Sequence, residues 1–169
     1  MKKLLLDADT GIDDALALFY LAHAQKQGQI EILGSTTVAG NVEVRQTTLN
    51  TLKIWEMLEL DIPVAAGAKK PLMVPLNTAT FVHGDDGLGN TFLPAPQKLP
   101  SAESAADMIL RLSHEYSGEL TLLTTAPLTN IAVALLRDPG LAKRILNVVI
   151  MGGAVFTGNV SAVAEANIA

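Results

Sequence analysis

Short, wholly apolar runs alternate along this chain with longer stretches whose apolar residues recur at helical spacing. Leu4, Leu5 and Leu6 run straight into Asp7 and predict a buried strand. A tight turn follows at Thr10-Gly11, and Leu16, Leu18, Phe19 and Leu21 mark one face of a helix starting near Asp13. Residues 30–38 predict a second strand, ending at Ala39-Gly40-Asn41. The helix after it runs from about 42 to 58, with Leu52, Ile54 and Trp55 on its apolar side. Residues 62–66 predict a short third strand. The segment 67–100 is rich in proline and glycine, has little periodicity, and has the length of a functional loop. Ser101 is the expected N-cap of a helix ending near His114. Beyond it the pattern predicts a buried strand at 120–124, a helix at 128–137 that stops before Pro139, a short turn or helix at 141–145, and a strand at 147–151. Gly152-Gly153 opens an irregular segment.

Strands that are apolar on both faces, each followed by a helix, specify an α/β fold with a mostly parallel sheet and helices on both faces. The chain is long enough, at 169 residues, for one such domain with a sizeable core, and it contains no internal repeat.

The chemistry concentrates in the first turn. Asp7, Asp9, Asp13 and Asp14 place four carboxylates within eight residues at a strand end. Like charges repel, and burying them is costly unless a cation is present. Carboxylate oxygens suit Ca²⁺ or Mg²⁺, and the chain has no cysteine that would favour a softer metal. Helix capping accounts for Asp13 and Asp14 but not also for Asp7 and Asp9. An EF-hand loop begun at Asp7 would need Glu at its twelfth position, where Leu18 stands. A phosphotransferase of the haloacid dehalogenase type would want Thr or Val where Gly11 stands.

Composition narrows the partners. Net charge is −5, from 12 basic and 17 acidic residues with no basic run, which argues against nucleic acid. The absence of cysteine fits a reducing, cytoplasmic setting. Met1-Lys2-Lys3 resembles the start of a signal peptide, but the apolar run after it is too short for one. The run between Val148 and Phe156 is too short to cross a bilayer, so no membrane partner is expected.

Ligands of open α/β sheets bind beyond the carboxyl ends of the strands. This sequence places there the four aspartates, Gly40-Asn41, Thr124-Thr125 and Met151-Gly152-Gly153, followed by Asn159, Glu165 and Asn167. Acids, amides and hydroxyls suit a cation with a polyhydroxylated ligand. Gly-rich phosphate cradles are absent from the sequence.

Five blocks, DADTGIDDALAL, TTVAGN, VHGDDGLG, TTAPLTNIA and VIMGGAVFTGNVSAVAEAN, occur in the order found in the inosine-uridine-type nucleoside hydrolase family, which this chain resembles over essentially its whole length. Thr10 stands where that family usually has Pro, and Thr125-Ala126-Pro127 replaces its Thr-Gly-Gly turn. The resemblance implies a Rossmann-like nucleoside hydrolase fold, incomplete at its C-terminus. It also implies hydrolysis of the N-glycosidic bond of ribonucleosides to ribose and free base. Asp9 matches the general base that activates the attacking water. Asp7, Asp14 and the Thr125 carbonyl match ligands of a Ca²⁺ ion. Asp13, Asn41, Met151, Asn159, Glu165 and Asn167 match ribose-binding positions, and His83 lies in the loop near the base. The family's late portion supplies a further calcium-binding Asp and a His near the leaving base. A homo-oligomer or a complementary C-terminal chain is therefore expected beside the ribonucleoside substrate. The alternative is a truncated, non-catalytic cation- or nucleoside-binding remnant, or an oligomerisation module.

Overall fold

Leu5 points to one side of the first strand, and Leu4 and Leu6 to the other, so the strand feeds two separate cores. The computed structural model describes residues 1–168. Its five strands, β1 (Lys2–Ala8), β2 (Ile30–Thr37), β3 (Val64–Ala66), β4 (Leu120–Thr124) and β5 (Ile145–Ile150), form one sheet in the order β3-β2-β1-β4-β5. Every pairing is parallel. Strand β1 is central, and its carboxyl end lies between those of β2 and β4.

Helices α1 (Ile12–Lys26) and α2 (Val44–Met57) cover the Leu4–Leu6 face through Leu18, Leu21, Leu52, Ile54 and Trp55. Helices α4 (Ala105–Glu115), α5 (Thr129–Arg137) and α6 (Leu141–Arg144) cover the other through Met108, Ile109, Leu112, Ile131 and Leu141. Both faces therefore carry helices, as the apolar runs require. Trp55 is fully buried and satisfies its indole N–H by donating to Ser35 Oγ at 3.0 Å.

Helix α2 also buries a polar face, which its apolar pattern does not announce. Thr48 and Thr51 share hydroxyl hydrogen bonds of 2.7 Å with Thr37 and Thr10. Asn50 donates to the Thr10 carbonyl at 3.2 Å and the Asp86 carbonyl at 2.8 Å. These contacts clamp the turn after β1 and the long loop to one helix. Within that loop, α3 (Thr80–His83) is a single helical turn. Asp86 organises the next turn by accepting from the amides of Leu88, Asn90 and Phe92, each at 2.8 Å.

One expectation is corrected. The cap of α4 is Ser104, which accepts from the Asp107 amide at 3.3 Å, and Ser101 only braces the turn before it. The Ser104-x-x-Asp107 spacing sets the true helix start. Helix α1 begins at Ile12 with Gly11 as its cap, so Asp13 and Asp14 lie inside the first turn. The two edge strands differ: Val64 and Ala65 of β3 are buried, whereas Val148, Val149 and Ile150 of β5 are each close to half exposed.

Candidate active site at the carboxyl edge of the sheet

The apolar register of β1 delivers Asp7 to the penultimate position of the central strand, with no exposure to solvent. Asp7 Oδ1 accepts from Thr36 Oγ1 at 2.6 Å and from Asn130 Nδ2 at 2.8 Å. Asp7 Oδ2 is buried with no hydrogen-bond partner. Burial pushes the carboxyl up to about 6, against the lowering effect of the two hydrogen bonds and with a small push from Asp14.

Asp9 lies just past the strand and is also buried. Its Oδ2 accepts from the Asn41 amide at 2.7 Å, and its main-chain carbonyl accepts from Asn41 Nδ2 at 3.2 Å. A Cβ at residue 40 would overlap the Asp9 carboxylate, so the β2 turn needs Gly40 for this approach. Burial, followed by the Asp14 charge, raises the Asp9 pKa well above the carboxylate range.

Asp14 closes the cluster from the first turn of α1. Its Oδ2 accepts from the Gly11 amide at 3.0 Å and from Asn41 Nδ2 at 3.3 Å, and its Oδ1 accepts from Thr125 Oγ1 at 2.5 Å. Burial raises its pKa too, although these donors oppose the shift. Asp13, one residue earlier, is exposed and stands at the rim, 3.9 Å from His83 Nδ1. The His83 ring is buried, and its Nδ1 accepts from the Ile12 amide at 3.2 Å. A neutral ring in that position carries its proton on Nε2.

The C-terminal candidates behave differently from one another. Asn167 Nδ2 donates to the carbonyls of Thr125 and Met151, each at 3.0 Å, and so reaches the cluster through Thr125. The Met151 side chain is half exposed beside it. Asn159 is exposed and spends its Oδ1 on the Ala166 amide at 2.9 Å. Glu165 Oε2 accepts from the amides of Gly153 at 3.1 Å and Asn167 at 3.0 Å. Both residues brace their own loop. Sequence reasoning missed Asn130 and Thr36. The available signal was an Asn followed by the buried Ile131 and Ala134 of α5, just beyond a strand end.

The site suits a hard cation. Among the described residues no three acidic or imidazole side chains converge closely enough to chelate an ion unaided. The matching set is two carboxylates, Asp7 and Asp14, with the Thr125 carbonyl, whose second lone pair is left by the Asn167 contact. All these donors are oxygens, and Asp7 contributes one that nothing else satisfies.

The same blocks match a family model described as inosine-uridine preferring nucleoside hydrolase, over residues 4–169. The chain belongs to this nucleoside hydrolase family. It is 44% identical over 171 residues to uridine nucleosidase 1 of Arabidopsis thaliana, covering 99% of this chain and 50% of that protein. It is 41% identical to the inosine-uridine preferring nucleoside hydrolase of Leishmania major, covering 99% of this chain and 53% of that protein. Among solved structures, the plant nucleoside hydrolase PpNRh1 superposes with a TM-score of 0.92 at 39% identity, over 98% of this chain and 52% of that one. A purine-preferring ribonucleoside hydrolase from Gardnerella vaginalis gives 0.91 at 36% identity, over 98% and 54%. The chain thus spans about half the length of the nucleoside hydrolases it matches, and its fold is that of their N-terminal portion.

Proposed function

We propose that this chain forms the N-terminal part of a calcium-dependent ribonucleoside hydrolase, which cleaves an N-ribosidic bond to give ribose and a free nucleobase. The observation that carries the reading is the unpartnered, buried Asp7 Oδ2 in a cluster with Asp9 and Asp14 at the carboxyl edge of the sheet. Asp7, Asp14 and the Thr125 carbonyl would hold the ion. When bound, calcium supplies positive charge that acidifies and orients water and draws in ribose hydroxyls.

Cleavage passes through an oxocarbenium-like state, with water attacking the anomeric carbon. Asp9 takes the proton from that water. The Asn41 amide holds Asp9 by Oδ2 and sets the direction of the carboxylate. A raised Asp9 pKa brings the base toward the range where proton transfer is efficient. Asp13 at the rim and the side-chain oxygen of Asn41, whose N–H groups are spent on Asp9 and Asp14, accept from ribose hydroxyls. Met151, Asn159, Glu165 and Asn167 line the same ligand from the last loop, and His83 offers Nε2–H toward the base.

We also propose association with a second polypeptide, either another copy or a complementary C-terminal chain. The half-exposed apolar residues of edge strand β5 support it. A second reading, a cation- or nucleoside-binding module without turnover, is favoured by Asn159 and Glu165 being committed to their own loop. A nucleobase-release assay with and without calcium, on the chain alone and with a complementary C-terminal polypeptide, separates the two. Calcium-dependent release upon complementation supports the hydrolase; binding without release under every condition supports the module.

A further inference from the structure

We infer that Asn130 and Thr36 are positioning residues that fix the plane of the Asp7 carboxylate, holding one oxygen so that the other is left to face the cation. The inference rests on the calcium site proposed above and concerns residues that no part of that reading uses. Both donors converge on Oδ1, from Thr36 on β2 and Asn130 on α5, and leave Oδ2 bare. The two oxygens of an ionised carboxylate are equivalent, so a half-turn restores the same arrangement of one held and one free oxygen. What prevents the two orientations from mixing with intermediate ones is that both donors are held from elsewhere.

Asn130 has one allowed amide orientation. Its Nδ2 meets two pure acceptors, Asp7 Oδ1 at 2.8 Å and the Thr37 carbonyl at 2.9 Å, and its Oδ1 accepts from the Ala68 amide at 2.9 Å. A flipped amide would set oxygen against both acceptors and NH₂ against a donor. A Cβ at residue 67 would overlap Asn130 Oδ1, so Gly67 is the residue that lets β3's exit approach the amide. Thr36 is pinned by its place in β2, where its hydroxyl also lies 3.3 Å from the Leu6 carbonyl. One strand and one helix thus hold the same carboxylate oxygen, and Asn130 is 2% exposed. Outer partners of this kind orient a ligand and commonly change metal affinity by about 10- to 100-fold when removed.

The test is a calcium titration by calorimetry on the 169-residue chain and its variants, with melting curves recorded without calcium. Thr36→Val keeps the branched shape and removes the donor, and Asn130→Ala removes the second. Each should weaken calcium binding by roughly 10- to 100-fold. Thr36→Ser restores the hydroxyl and should bind within about threefold of the natural chain, inside the ordinary spread of such effects. A purely structural role would lower the melting temperature without calcium and leave the affinity of the folded protein unchanged. Natural affinity in both Thr36→Val and Asn130→Ala overturns the inference and leaves the calcium site standing. No calcium binding by the natural chain, alone or with a complementary C-terminal polypeptide, overturns both.

Discussion

The Asp14 carboxylate accepts the Thr125 hydroxyl at 2.5 Å, joining the first turn of α1 to the end of β4 across 111 residues of chain. Thr125 is tied again through its amide, which donates to the Asp7 carbonyl at 2.9 Å. One residue of β4's exit therefore sets the distance between the two acidic ends of the β1–α1 turn. A cation held by Asp7, Asp14 and the Thr125 carbonyl would find its ligands already braced.

Calcium should raise the melting temperature. At about 100 times its dissociation constant a ligand adds about 2.7 kcal/mol, which for a domain of this size is a rise of roughly 5–10 °C. Asp14→Ala should abolish the rise. An unchanged melting curve at millimolar calcium would remove the site.

Without calcium, stability should fall as pH rises. Asp7 titrates near 6 in the folded chain against an ordinary 3.8, and Asp9 and Asp14 are shifted in the same direction. A folded state that holds protons more tightly than the unfolded chain is favoured fully below about pH 4. It loses that advantage as pH climbs through the folded values. Melting temperature should drop between pH 5 and pH 8, and saturating calcium should flatten or reverse the slope. A rising curve without calcium contradicts the burial of these carboxylates.

Asp9→Asn should keep the shape of the turn and lose the proton acceptor. In a preparation that turns over, kcat should fall by roughly 100-fold or more while ribose binding survives. Steady-state kinetics beside a ribose-binding titration gives both numbers. Near-normal kcat would exclude Asp9 as the base.

A ribonucleoside should be a far better substrate than its 5′-monophosphate. The groups acting on Asp7, Asp9 and Asp14 are other acids, amides, hydroxyls and one imidazole, with no Lys or Arg among them. A phosphate would meet carboxylates and no cation-bearing side chain. Comparing uridine and inosine with their monophosphates measures the preference directly, and a faster rate on the monophosphates would refute it.

The layered fold was legible because its signals are local. Leu4–Leu6 running into Asp7 and the Leu120–Thr124 strand need no distant information to be recognised, and both appear where the pattern puts them. The start of α4 is less legible, because a second serine, Ser104, follows Ser101 three residues later. Only the hydrogen bond from the Asp107 amide chooses between them. Strand β5 has the composition of a buried strand, yet it is exposed while the other edge strand, β3, is buried, because burial depends on what packs over the sheet faces.

The candidate site divides in the same way. Its acids are crowded into one turn, so Asp7, Asp9, Asp13 and Asp14 declare themselves by spacing. Their differences do not: Asp13 is exposed at the rim while its neighbour Asp14 is buried, because Thr125 and Asn41 come from the turns beyond β4 and β2 to meet only one of them.

By itself the sequence determined the α/β alternation, the acidic turn after the first strand and the family to which they belong, since each is written in contiguous residues. Tertiary structure alone decided that one carboxylate oxygen of Asp7 is held twice and the other is left without a partner. Thr36, Asn130 and Asp7 lie far apart in the chain and meet only when β2, α5 and β1 are packed together. A hydrogen-bond vacancy is a property of three-dimensional neighbours, and no spacing along one chain encodes it.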